Sequence, residues 1–193
     1  MQHVYEGFLR VLRTPLLTIA AVNGPAVGAG MNLALACDVR IASTAARFDT
    51  RFTRLRLHPG GGHTWLLERA VGHQQAVLAV LLGERWDAQQ ALQHGLVAQV
   101  TEPGDLLETA IALGARLDDV EPALARRVLA TLRAAGEATS HAEVLAAETE
   151  AQRWSVTRPA FVEHVREPVR ADQPALRASL ARSGCRGQDT GPT

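Results

Sequence analysis

The chain of 193 residues contains no lysine; all twenty of its basic residues are arginines. That absence excludes a phosphate-binding loop of the G-x-x-x-x-G-K type. It also excludes Schiff-base chemistry and any other lysine-dependent catalysis. Cysteine is nearly as scarce. Cys37 and Cys185 are the only two, which is no disulfide framework. Cys37 falls where a buried helix is expected and reads as a small core residue. No apolar run approaches the roughly 18 residues that would span a bilayer. The opening residues, MQHVYEGFLR, lack the basic and apolar regions of a secretory signal, so a cytoplasmic location is expected. Formal net charge is zero, so no global field favours nucleic acid or an anionic membrane. His58 and His63 flank a Pro and three glycines. No third ligand stands at suitable spacing, and no metal site is expected.

What the chain does have is a hydrophobic fraction of 47%, which suits a globular domain with a real core. Its organising stretch runs from Leu16 to Asp38, LLTIAAVNGPAVGAGMNLALACD. Leu16 to Val22 reads as a buried strand. Asn23-Gly24-Pro25 reads as a turn. Gly28, Ala29 and Gly30 are small enough for another molecule to lie against the backbone. From Ala29 the pattern is helical, with Met31, Leu33, Ala34 and Leu35 apolar up to Cys37. The first N–H groups of a helix have no intrahelical partner, and its dipole favours negative charge there. Such a turn suits an anion or a developing oxyanion; close strand–helix packing is the alternative reading. A dinucleotide fingerprint is excluded, because Leu33 stands where its third glycine belongs.

The rest of the chain is read in order. A helix is expected over residues 3–13, with Val4, Phe8, Leu9, Val11 and Leu12 on one face, stopped at Thr14-Pro15. Residues 38–42 read as a strand. Residues 43–61 read as irregular, with Phe48 and Phe52 as anchors. Helices are expected at 63–71, 73–82 and 87–94, a short strand at 96–101, and helices over 105–118, 122–135, 140–156 and 158–166. Pro122 suits a helix start. Beyond Pro168 a disordered tail is expected. The order, βα units followed by helices alone, points to an α/β core with a helical C-terminal region.

The organising stretch resembles the enoyl-CoA hydratase/isomerase, or crotonase, family. Asn23-Gly24-Pro25-Ala26-Val27-Gly28-Ala29-Gly30 is similar to the family's N-G-x-A-x-G-G-G, with Cys37-Asp38 at the helix end. His58-Pro59-Gly60-Gly61-Gly62-His63-Thr64 resembles its P-G-x-G-G-T. Leu82-Gly83-Glu84-Arg85-Trp86-Asp87-Ala88 and Gly95-Leu96-Val97 resemble two later motifs. The resemblance runs to Arg166. It implies a crotonase-like ββα spiral core lacking the family's N-terminal segment. The partial core is expected at 1–101, a helical oligomerisation region at 102–167 and the tail at 168–193. It also implies an acyl-CoA substrate, no separate cofactor, and a homotrimer or hexamer.

The same resemblance implies a site. Its oxyanion donor is the N–H of Ala29, flanked by Ala26, Gly28 and Gly30; the second donor belongs to the segment without a counterpart here. The two hydratase glutamates correspond to Asn32 and Phe52, neither of which exchanges a proton near neutral pH. Water addition by paired glutamates is therefore not expected. Remaining candidates for the chemistry are Asn32, Asp49, His58 and His63, each with a structural alternative. Asn32 contacts substrate or merely its neighbours, Asp49 pairs with Arg51 or caps a turn, His58 is a loop histidine, and His63 caps a helix. Pro59 and Gly60 line the acyl site, and Phe161 and His164 reach the CoA of a neighbouring subunit, or Phe161 packs an interface. Two readings remain: an enzyme working through an enolate, or a non-catalytic acyl-CoA-binding or assembly subunit.

Overall fold

A computed structural model of the chain describes residues 2–166. The expected tail at 168–193 lies outside the described residues. The chain divides into two compact units, the first ending at Glu148 and the second beginning at Thr149. The first unit opens with α1 (Gln2–Leu12), then β1 (Ile19–Val22), β2 (Pro25–Val27), α2 (Ala29–Leu35), β3 (Val39–Ser43) and β4 (Arg47–Asp49). A single 3-10 turn, Thr53–Leu55, leads to α3 (His63–Val80), β5 (Trp86–Asp87), α4 (Ala88–Gln93) and β6 (Gln99–Thr101). Helices α5 (Leu106–Ala115) and α6 (Pro122–Ala135) follow. Helix α7 (His141–Ser155) runs across the division, and α8 (Pro159–Arg166) lies in the second unit.

Two small sheets carry the core. The first is parallel, in the order β1-β3-β6, with Ile19 opposite Val39 and Ile41 opposite Gln99. The second is β2-β4-β5. Its β2–β4 pair is parallel, with Val27 opposite Asp49, and its β4–β5 pair is antiparallel. Between and beside them Met31, Leu35, Ala42, Phe48, Leu67, Trp86 and Leu96 form one buried cluster. Each full burial of a large apolar side chain is worth about 1.5–3 kcal/mol. Phe48 is the anchor that the sequence suggests; Phe52 is only half-buried.

The structure departs from the sequence reading in five places. Leu16 and Leu17 are exposed, and the strand starts only at Ile19, where pairing to β3 begins. They line an apolar groove with Val120, Leu129 and Leu132. Pro25 is not merely a turn residue but opens β2, an edge strand, where its missing N–H costs no ladder bond. Residues 43–61 hold β4 and a 3-10 turn because Phe48 and Trp86 pair across β4 and β5. The helices expected at 63–71 and 73–82 are continuous as α3, broken only at Gly72, whose φ of 78° and ψ of 165° interrupt the helical backbone. Leu33 faces outward, unlike its neighbours Met31, Ala34 and Leu35, because it lies on the far side of α2.

One polar clamp ties the helical segment to the sheet. Asp38 accepts from Arg133 Nε and Nη2, both at 2.8 Å. It also accepts from the Thr18 N–H at 2.9 Å and the Thr18 hydroxyl at 2.7 Å. Arg133 Nη1 donates to the Thr14 carbonyl at 2.6 Å. Burial opposes ionisation of Asp38, but the bonds from Arg133 and Thr18 more than offset it and hold its carboxyl below the ordinary range. Asp38→Ala should lower the unfolding free energy by about 2–4 kcal/mol, because it strands a part-buried guanidinium. Urea denaturation measures this, and Asp38→Asn should fall between that variant and the parent.

Candidate active site

Strands β2 and β4 end side by side, and the chain turns there into α2. Gly28 takes φ 53° and ψ −112°, a conformation open to glycine and strained for other residues. Its N–H donates to the Asp49 carbonyl at 3.0 Å, and its own carbonyl accepts the first helical bond, from Asn32 N–H at 3.0 Å. The N–H groups of Ala29 and Gly30 fall in the first turn of α2, where no intrahelical acceptor exists. No side chain caps this end, and no backbone acceptor among the described residues meets either group. Both residues are exposed. Two first-turn amides without a described protein acceptor, at the positive end of a helix, have the chemistry to donate to an oxygen carrying negative charge.

One turn further along α2, Asn32 is fully buried. Its Nδ2 donates to the Gly60 carbonyl at 3.0 Å, and its Oδ1 meets His63 Nδ1 at 2.5 Å. A carbonyl only accepts, so the Gly60 bond fixes the orientation of the amide. Oδ1 must then face His63, whose proton sits on Nδ1, leaving Nε2 with its lone pair. That Nε2 is buried without a hydrogen-bond partner among the described residues. Phe52 packs edge-on against the imidazole, with ring centroids 4.9 Å apart. Desolvation pushes the imidazole pKa of His63 down to about 4. Asn32 thus spends its amide on neighbours, and His63 packs inside rather than capping α3 through its side chain.

The other expected residues are dispersed. Asp49 is 8% exposed, and its carboxylate pairs with Arg54, with Arg85 at 3.7 Å and with Arg51 at 3.9 Å. This is the ion-pair alternative, extended to three arginines. His58 is exposed, its Nδ1 donating to the Pro59 carbonyl at 2.7 Å. Ala26 turns its side chain into the core, so only its backbone could line a ligand. Pro59 and Gly60 are half-buried beside Asn32's partner carbonyl. Phe161 and His164 lie on α8 in the second unit, and both are exposed. Cys37 is half-buried rather than core, and burial raises its thiol pKa. Among the described residues no group of three His, Cys, Asp or Glu could hold a metal ion, and no helix is long and apolar enough to cross a membrane.

Sequence reasoning missed the contribution of α1. Tyr5 and Phe8 lie against Gly60 and Gly61: a Cβ on Gly60 would fall 2.4 Å from Tyr5 Oη, and one on Gly61 2.5 Å from Phe8 Cζ. Nothing in the local pattern of residues 3–13 signals a partner more than fifty positions away.

A family profile described as enoyl-CoA hydratase/isomerase matches residues 1–165. The chain belongs to this family. It is 52% identical over 131 residues to "Probable enoyl-CoA hydratase EchA14" of Mycobacterium tuberculosis (strain ATCC 25618 / H37Rv), covering 68% of this chain and 50% of that one. It is 42% identical over 108 residues to the 1,2-epoxyphenylacetyl-CoA isomerase of Escherichia coli (strain K12), covering 56% and 41%. A Thermobifida fusca YX relative crystallised with acetoacetyl-CoA superposes with a TM-score of 0.74 at 36% identity, covering 79% of this chain and 59% of that one. The fold is therefore the crotonase fold, with a helical C-terminal region. The chain spans about half the length of the curated relatives it matches.

The buried histidine makes a pH prediction. An ordinary imidazole titrates near 6.5, and His63 in the folded chain near 4. As pH falls through that window the unfolded state binds the proton and the folded state does not, so stability falls with pH. The loss from this group should approach roughly 3 kcal/mol by pH 4, at about 1.4 kcal/mol per pH unit. Urea midpoints between pH 7 and 4 should fall less steeply in His63→Gln than in the parent.

Proposed function

We propose that this chain acts on an acyl-CoA thioester, holding the thioester carbonyl on the Ala29 N–H and stabilising an enolate-like oxyanion there. The observation that carries this reading is the exposed first turn of α2, where no side chain caps the helix and no acceptor for the Ala29 and Gly30 N–H groups is found among the described residues. One preorganised donor of this kind is worth about 3 kcal/mol to a transition state. Support also comes from the family, whose named relatives include a hydratase and an isomerase of CoA thioesters.

The reaction is not two-glutamate hydration. Asn32 is an amide bound to Gly60 and His63, and Phe52 offers a ring edge. Neither activates water. Isomerisation or another proton-transfer reaction at the acyl chain fits the site better. The amide at Asn32 and the ring at Phe52, neither able to exchange a proton near neutral pH, favour a second reading, in which the chain binds acyl-CoA or assembles without turning it over. The protein works as a cytoplasmic homotrimer or hexamer, with Phe161 and His164 of α8 contributing to CoA contacts across subunits.

Ala29 is the first residue of α2, a position where proline fits a helix and removes only the N–H. Ala29→Pro should therefore keep the fold by circular dichroism and weaken binding of acetoacetyl-CoA about tenfold, with turnover reduced 100- to 1,000-fold. Isothermal titration and a turnover assay check both. Crotonyl-CoA should not be hydrated above the uncatalysed rate, and rapid hydration would overturn the acid/base argument. Binding without turnover on any enoyl or acyl substrate would select the second reading.

A further inference from the structure

We propose that the apolar groove between the start of β1 and α6 binds a free fatty acid, with Arg126 taking the carboxylate and the leucines taking the chain. This site is separate from the α2 turn and does not depend on the acyl-CoA reading. The groove holds about 520 Å³, within the range of about 300–1,000 Å³ usual for small-ligand sites. Leu16, Leu17, Val120, Leu129 and Leu132 line it. Leu16 is 56% exposed and Leu132 65%. Leucines left open to solvent on two adjoining segments form a contiguous patch, and such patches mark binding surfaces.

Arg126 is the only charged residue lining the groove. It is exposed, and it makes no hydrogen bond or ion pair with another described residue. On α6, Arg126, Leu129 and Arg133 recur at helical spacing along one side. Arg133 donates to the Thr14 carbonyl at 2.6 Å and to the Leu16 carbonyl at 3.4 Å. The wall that carries Leu16 and Leu17 is thereby held to α6 before any ligand arrives, and a preformed groove costs a ligand less to occupy. Arg126 stands about two turns before Arg133 on the same helix.

The lining selects the occupant. Apolar walls with one guanidinium match one alkyl chain with one anionic end. The planar fork of arginine takes a carboxylate through two parallel hydrogen bonds. A second copy docking by the same face would set Arg126 against its own counterpart, with no carboxylate in the lining to separate them. A fatty acid supplies the counter-charge and covers the leucines together. No residue of the Gly28–Gly30 turn lines the groove, so the two positions can be filled independently.

Titration calorimetry on the full chain tests the assignment, with dodecanoate as the probe below its micellar concentration. One dodecanoate should bind per chain. Decanoate should bind more weakly, because each buried methylene removed forfeits up to about fourfold in affinity. Dodecyltrimethylammonium, with the same tail and the opposite charge, should bind about tenfold more weakly or worse. Arg126→Gln should weaken dodecanoate by about tenfold or more without weakening dodecyltrimethylammonium. Leu132→Glu alters an exposed position and puts a carboxylate in the groove; it should abolish dodecanoate binding while keeping the circular dichroism of the parent. Saturating acetoacetyl-CoA should not displace dodecanoate. Absence of binding, displacement by acetoacetyl-CoA, equal affinity for the two head groups, or unchanged affinity in either variant overturns the assignment. Sedimentation velocity covers the other occupant: self-association that Leu132→Glu disperses, in a parent that takes up no dodecanoate, gives the groove to a second copy and removes the fatty acid.

Discussion

The amide of Asn32 is the constraint on which the site depends. A buried side-chain amide is costly unless both its ends are satisfied, and here they are satisfied by two different segments. Nδ2 takes the Gly60 carbonyl from the loop before α3, and Oδ1 takes the Nδ1 proton of His63 from the first turn of α3. On the other side, Gly28 N–H holds the Asp49 carbonyl at the end of β4. With α2 fixed at both sides, the amides between have one direction left, outward. The setting of the Ala29 and Gly30 amides is thus fixed by polar contacts made within the protein.

Much of this was legible in the residues. The strand–turn–helix at residues 16–38 announces itself by a β-branched run, three small residues and a helical period, and it forms around β1, β2 and α2. Pro122 starts α6 as its fixed φ predicts. What could not be read is tertiary. Pro25 reads as punctuation, yet it opens a strand because β4 lies beside it. Asp49 and Arg51 are neighbours in sequence, but the cluster also needs Arg54 and Arg85, the latter brought by the β4–β5 pairing. Tyr5 gave no signal at all, since the glycines that admit it lie more than fifty residues away.

The departures from a two-carboxylate site are mutually consistent. With Asn at 32 and Phe at 52, the amide bonds to His63 and the phenyl ring packs against the same imidazole. A glutamate at position 32 could not donate to the Gly60 carbonyl when ionised, so the loop and the helix would lose their tie. The Asn32 amide instead bridges the loop before α3 and the first turn of α3.

The Asp38–Arg133 clamp spans 95 residues of sequence. Loop closure of that reach carries a large entropic cost that only later contacts repay. On the ribosome, Thr18 and Asp38 emerge well before the arginine that completes their network. The sheet edge and the segment before β1 must wait, incompletely neutralised, for α6 to arrive. Until residue 133 has been synthesised, Asp38 and the Thr14 carbonyl lack the guanidinium that joins them in the folded chain.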